Sequence, residues 1–217
     1  MQYGVVATRI DDYSFIGHLV YDQIAVLSPA VIDKVTNEAV VIDPGGNNAV
    51  LQQYLSESGA TVKYILLTHT HYDHLVGAEE LSQALDMAVT VHKDDVRLLK
   101  QSPNFALLFD KVKFTAPKRL EILEGEGELP FGHTTIKVLH MPGHTPGSVC
   151  YLFDGFCFIG DLILEKGAGR TDLPGGNNDL LKLSLDKLTG MDKELLLFPG
   201  HDAPFTVGQL NGFYPAK

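Results

Sequence analysis

No stretch of this 217-residue chain stays apolar for long enough to cross a bilayer. The opening MQYGVVATRIDDYSF also lacks a basic end followed by a hydrophobic run and a small-residue cleavage site, so no signal peptide is expected. Basic residues are scarce. Against 27 Asp and Glu there are 17 Lys and Arg, and the net charge of −10 argues against a nucleic-acid backbone as partner. Cysteine is rarer still, and both copies, Cys150 and Cys157, sit in CYLFDGFCF. That segment reads as a hairpin turning at Asp154-Gly155, with Leu152 opposite Cys157 and Cys150 opposite Ile159. The thiols are then at best diagonal neighbours, a poor geometry for a disulfide, and a reducing cytoplasm is the expected compartment. Internal repeats and low-complexity linkers are also missing, so a single domain over residues 1–217 is expected.

A hydrophobic share of 45% with 20% charged residues is that of an ordinary folded protein, and the length is sufficient for a sizeable core. The first half reads as short strands (GVVATRI, HLVYDQIAVLS, AVVID) that end in the turn Asp43-Pro44-Gly45-Gly46. A helix is expected from about Asn48, with Val50, Leu51, Tyr54 and Leu55 on one face and Gly59 as its stop. The run TVKYILLT is nearly continuous in apolar residues, the pattern of a strand covered on both faces. Further helices are expected at 75–85, 94–100 and 179–188, and further strands at 134–140, 149–153, 156–159 and 194–198. Strands alternating with helices, with hairpins mixed in, predict sheets packed between helix layers.

The segment THTHYDHLVG, residues 68–77, crowds three histidines and a carboxylate into a few positions directly after an apolar strand. The pattern recurs. IKVLHMPG runs into His144, FCFIG into Asp161 and ELLLFPG into His201. Ligand-type side chains thus follow four apolar strands, where loops on a rigid sheet are expected to build a converging site. The candidates are His69, His71, Asp73, His74, His144, Asp161 and His201. One zinc ion rarely takes more than four ligands, so this set suits two ions roughly 3.5–4 Å apart, bridged by a carboxylate and a water. His69 and His71 are two apart on an extended segment and can point to one side, while Asp73 and His74 lie at the following turn and can face another ion.

Taken in order, IDPGG, THTHYDH, PGHTPGS, IGD and FPGH resemble the successive motifs of the metallo-β-lactamase superfamily, across most of the chain from residue 42 to 201. The resemblance implies an α/β fold, a four-layer αββα sandwich with a dinuclear site at one edge. It implies that His69, His71 and His144 hold the first metal, that Asp73, His74 and His201 hold the second, and that Asp161 bridges. Two divalent ions are implied, zinc first, with iron or manganese as alternatives. GRTDLPGG, residues 169–176, resembles the glyoxalase II-like branch, in its short single-domain form, whose members cleave acyl thioesters such as S-hydroxyacylglutathione. A small-molecule thioester is then the expected partner, with neither nucleic acid nor membrane. Asp73 is the candidate to orient the attacking water. Asp202 after His201 resembles instead the persulfide dioxygenases, which bind one iron through counterparts of His69, His144 and Asp161. A lactonase and a non-catalytic scaffold are further readings, although no ligand of the set is missing.

Around this set, Asp43 is a candidate to orient a ligating histidine, and equally a structural turn residue. Tyr72 and Lys166 are candidate substrate contacts, Lys166 as the nearest cation for a substrate carboxylate. Arg170 is expected to form a buried pair with Asp172 beneath the site loop, with direct substrate contact as its second reading. His18, His92, His133 and His140 fall outside the ligand pattern and are expected as packed or surface histidines.

Overall fold

The apolar runs become two six-stranded sheets. The computed structural model describes residues 12–16, 19–21, 24–26, 28–46, 48–165 and 167–212. Its first half contains β1 (Tyr13–Ile16), β2 (Leu19–Tyr21), β3 (Ile24–Val26), β4 (Ala30–Asp33), β5 (Glu38–Ile42), α1 (Ala49–Ser58), β6 (Thr61–Leu66), α2 (Ala78–Leu85), β7 (Val89–His92), α3 (Val96–Phe109) and β8 (Leu120–Leu123). The second half contains β9 (Gly127–Phe131), β10 (Thr134–His140), β11 (Val149–Leu152), β12 (Phe156–Gly160), β13 (Ile163–Leu164), β14 (Gly167–Ala168), α4 (Asn178–Thr189), β15 (Leu196–Pro199) and β16 (Phe205–Thr206). One sheet has the order β1-β4-β5-β6-β7-β8 and the other β16-β15-β12-β11-β10-β9. The pair β2–β3 and the pair β13–β14 are separate ribbons.

The layering follows from the two-residue period of a strand, which sends successive side chains to opposite faces. In β5 and β6, Val40, Ile42 and Leu66 enter the layer between the sheets, while Ala39, Val41 and Ile65 face α1, α2 and α3. In β12, Phe156 and Phe158 enter the same middle layer, while Cys157 and Ile159 face Leu181, Leu185 and Leu188 of α4. Both faces of each central strand are therefore apolar, which is why these segments read as continuous runs. Three apolar layers separate four layers of secondary structure, and the architecture is αββα.

The expected hairpin has the expected register, with Leu152 opposite Cys157, and both cysteines are buried free thiols. Helix α1 stops at Gly59, whose φ of +64° closes the last turn through a bond from its N–H to the Ser56 carbonyl. Three expectations are corrected, the first being the single strand over HLVYDQIAVLS, which is the antiparallel pair β2 and β3. The helix expected from Leu75 begins at Ala78, because Pro44 O and the Asn48 side chain grip the backbone of Gly77 and hold 75–77 as turns. The helix expected to end at Lys100 continues through Pro103 to Phe109. Strands β1, β4, β7, β8, β9, β13, β14 and β16 were not singled out in the sequence; β8 and β9 are sheet edges, where polar side chains and interruptions such as Pro130 dilute the pattern. The strand expected at 4–10 lies outside the described residues. No helix among the described residues is long and apolar enough to cross a membrane.

The loop before His144 is set by contact with α4. Gly143 has φ +140°, and a Cβ there would lie 2.2 Å from the Leu181 backbone. Gly143→Ala is therefore expected to destabilise the fold by more than ~2 kcal/mol. Gly125→Ala, where a Cβ would meet nothing within 4 Å, is expected to stay within ~0.5 kcal/mol of the parent. Denaturant melts of both variants compare them, and equal midpoints would count against this packing.

Candidate metal centre

Strands β10 and β12 are each antiparallel to β11, and β15 is parallel to β12, so all three end at the same edge of their sheet. The loop after β6 meets that edge. The Val149 amide donates to Thr68 O at 2.8 Å and the Tyr151 hydroxyl to Leu67 O at 2.8 Å, and together they stitch one sheet to the other. Four loops from two sheets are thereby brought to one place.

Two groups form there. His69, His71 and His144 present ring nitrogens within 4.8 Å of one another, and so do the ligating atoms of Asp73, His74 and His201. Asp161 stands between them. Its Oδ1 lies 3.4 Å from His74 Nε2, and its Oδ2 lies 3.6 Å from His144 Nε2 and 3.4 Å from His201 Nε2. The structure brings together all seven side chains singled out in the sequence. Gly200 makes the approach possible: a Cβ there would meet Asp161 Oδ1 at 2.3 Å and His74 Cε1 at 2.5 Å.

The orientation of the rings comes from Asp43. Its carboxylate accepts from the Thr68 amide at 2.7 Å, the Thr68 hydroxyl at 2.6 Å and His74 Nδ1 at 2.9 Å. Because the Thr68 hydroxyl spends its proton on Asp43, it accepts from His69 Nδ1 at 3.1 Å. Both rings then keep a proton on Nδ1 and turn Nε2 inward as the atom that can ligate. His144 follows the same rule by donating from Nδ1 to the Arg170 carbonyl at 2.8 Å. The turn residue of the sequence reading is thus also the part that orients a histidine of each group.

A second buried carboxylate holds the loops themselves, and it was not singled out in the sequence. Asp95, fully buried at the start of α3, accepts from the Thr70 amide at 3.0 Å, the Thr145 hydroxyl at 2.8 Å and the Gly147 amide at 2.7 Å. Thr70 lies between His69 and His71, and Thr145 follows His144, so one side chain ties together both loops of the first group. The available signal was the threonine beside each of these histidines.

The electrostatics of the two groups differ in sign. Burial pushes His69 well below the ordinary imidazole value, helped by His74 and His144, and burial lowers His71 to about 3. In the other group burial pulls the same way, but carboxylates outweigh it. Asp161, Asp73 and Asp43 hold His74 well above its ordinary value, and Asp161 and Asp73 lift His201 to about 10. Burial also opposes the charge on Asp161, yet the facing His74 and His201 keep its carboxyl well below the usual range.

A cleft of about 590 Å³ opens over these residues, lined at its floor by His71, Asp73, His144, Asp161 and His201. Tyr72 lines it, with its hydroxyl donating to Asp110. Arg170 also lines it, but the expected buried pair is corrected: Arg170 and Asp172 form a bidentate pair at 2.8 and 2.7 Å that is 61% and 69% exposed. Solvent at the cleft mouth removes the need for burial, and what supports His144 is the Arg170 carbonyl. Lys166 and His18 lie outside the described residues. His92 and His140 stack with centroids 4.2 Å apart and planes 20° apart. An imidazole ligates in its own plane, and planes so nearly parallel do not meet within a bond length of both rings. A hollow of about 650 Å³ near Asp154 and Met191 lies at the other end of the second sheet and has no ligating set.

The family model described as the Metallo-beta-lactamase superfamily matches residues 29–201. The chain belongs to this superfamily. Among its relatives, "Probable metallo-hydrolase YqgX" of Bacillus subtilis (strain 168) is 35% identical over 76% of this chain and 80% of its own length. "Hydroxyacylglutathione hydrolase GloC" of Haemophilus influenzae is 33% identical over 79% of this chain and 83% of its own. The crystal structure of TTHA1623 in a di-iron-bound form superposes with a TM-score of 0.80 at 30% identity, covering 92% of this chain and 99% of that one.

The residues present fit the divalent metal that this superfamily implies. Nε2 of His69 and His74 and Oδ1 of Asp161 are buried without a hydrogen-bond partner, all at the centre of the site. Buried polar atoms are rarely left so. Histidine binds metal through a lone pair, so at pH 7.5 His74 and His201 must give up protons that His69 and His71 do not hold. Metal uptake at that pH is expected to release about two protons. Binding enthalpies in buffers of different ionisation enthalpy measure this, and uptake without proton release would contradict the assignment. Asp43→Asn, which replaces an acceptor by a donor behind His74, is expected to weaken metal affinity by about 10- to 100-fold in a chelator competition.

Proposed function

We propose that the chain is a metal-dependent hydrolase of acyl thioesters, in which His69, His71 and His144 hold one divalent ion and Asp73, His74 and His201 a second. The observation that carries the two-ion reading is Asp161, whose oxygens face both groups at 3.4–3.6 Å. Support for a thioester comes from the glyoxalase II-like segment Gly169–Gly176 and from the likeness to the hydroxyacylglutathione hydrolase of Haemophilus influenzae. Zinc is the first choice of metal, with iron the alternative that the di-iron neighbour favours.

In this reaction the oxygen of a water adds to the thioester carbonyl carbon, the C–S bond breaks, and a carboxylic acid and a thiol leave. Ions bound at the two groups would acidify that water and draw charge from the carbonyl oxygen and the departing sulfur. Asp73 lines the cleft with its Oδ2 3.3 Å from His201 Nε2, and it orients the attacking water, whose proton passes to the departing sulfur. Asp43 and the Arg170 carbonyl keep the histidine lone pairs turned inward throughout. The low-dielectric surroundings of the buried rings strengthen each of these interactions.

A persulfide dioxygenase would use one iron at His69, His144 and Asp161, with Asp73 and His201 free to turn away. That both face Asp161 or each other supports the two-ion reading. Counting metal per chain after anaerobic purification tests the choice: two ions are expected, and a single iron would favour the dioxygenase. With S-lactoylglutathione and a simpler thioester as substrates, Asp161→Ala is expected to lose more than ~100-fold in kcat/KM, beyond the loss for an outer partner. His201→Ala, which affects one group only, is expected to lose less. Equal, mild losses would count against metal-assisted hydrolysis.

A further inference from the structure

We infer that the cleft selects thioesters whose non-reacting part is apolar, an alkyl chain or an aromatic ring that lies along α3. This rests on the reading of the chain as a thioester hydrolase. The wall is a stripe of one helix. Leu98, Ser102, Phe105 and Phe109 follow one another at spacings of four, three and four residues and all line the cleft. The Ser102 hydroxyl donates to the Thr70 carbonyl, between His69 and His71, so the stripe is anchored at the metal loop and runs outward from it. From Ser102 to Phe109 the helix rises about 10 Å. The facing wall is Leu164, Leu173 and Pro174.

Two observations point from this wall to its ligand. Phe105 and Phe109 stack nearly flat, with centroids 6.1 Å and planes 13° apart, although Phe109 is 55% exposed. A large ring held in fixed geometry at the mouth of a reactive cleft is a surface for an apolar group to cover. Charge points the same way. Among the described residues that line the cleft, Asp73, Asp110 and Asp161 are carboxylates, while Arg170 is the sole lysine or arginine and its guanidinium is engaged by Asp172. A thiol half bearing two carboxylates, such as glutathione, finds little to pair with among the described lining residues.

The test is kcat/KM of the metal-loaded protein on two thioester series. In one, the acyl chain grows from acetyl to octanoyl on a small neutral thiol. In the other, the thiol's alkyl chain grows while the acyl group stays acetyl. One series is expected to rise by roughly fourfold per methylene, the equivalent of ~0.8 kcal/mol for each buried CH₂, and which one rises names the half that lies on α3. Phe109→Ala, a change at an exposed position that does not threaten folding, is expected to reduce that slope to below twofold per methylene. Leu183→Ala, at an exposed position on α4 outside the cleft lining, is expected to leave the slope as in the parent. Calorimetry with non-hydrolysable thioethers of the same lengths separates this inference from the reading beneath it. Binding that tightens with length without turnover of any thioester would overturn hydrolysis and keep the apolar wall. Turnover or binding that is flat in both series, or a slope that Phe109→Ala leaves intact, would overturn the wall.

Discussion

Three donors converge on one buried carboxylate, Asp43, and the arrangement of both histidine and aspartate groups hangs from it. Hydrogen bonds to a charged partner contribute about 1.5–3 kcal/mol each, and a carboxylate buried without them would be costly. The chain makes the position available by unusual means. Asp43 adopts a left-handed φ of +45°, a conformation that aspartate tolerates better than most residues, directly after β5. From there it reaches the neighbouring strand's loop through Thr68, and through Thr68 the ring of His69. One side chain at the end of one strand therefore decides the proton positions on rings of two different groups. Asp95 complements it by fixing the loops' backbones, so position and tautomer are controlled by separate carboxylates.

The layers and the converging histidine and aspartate set were legible because each left a dense local trace. Apolar side chains on both faces of β6 and β12 give uninterrupted runs, and a strand end followed by THTHYDH has few explanations besides metal. What was hidden depends on contacts between distant segments. Nothing in HKDDVR distinguishes Asp95 from Asp94 beside it, yet one is fully buried against Thr70 and Thr145 and the other is exposed. Edge strands β8 and β9 bury a single residue between them, Phe131, and so carry little of the pattern. The run of α3 past Pro103 is paid for in tertiary packing, with Ala106 buried and Phe105 stacked on Phe109, which a local reading does not weigh. Arg170 and Asp172 show the opposite error: a close charged pair invites burial on paper, while the structure leaves it in solvent.

Like charges would make the site self-defeating if they were not interleaved. Asp73 and Asp161 share one small space, and their mutual repulsion is offset by His74 and His201 between them, while burial disfavours charge on His69 and His71. Such a centre stores its polarity in fixed side chains, so little reorganisation is left for the moment of reaction. The price is several buried atoms that have no partner within the protein.

All seven side chains of the candidate centre sit at one end of the strands, whereas the hairpin tip Asp154-Gly155 sits at the other. A molecule built this way has a reactive pole and a silent one. Attached to a support or fused to another protein through that tip, it would stand with its cleft turned outward to solution.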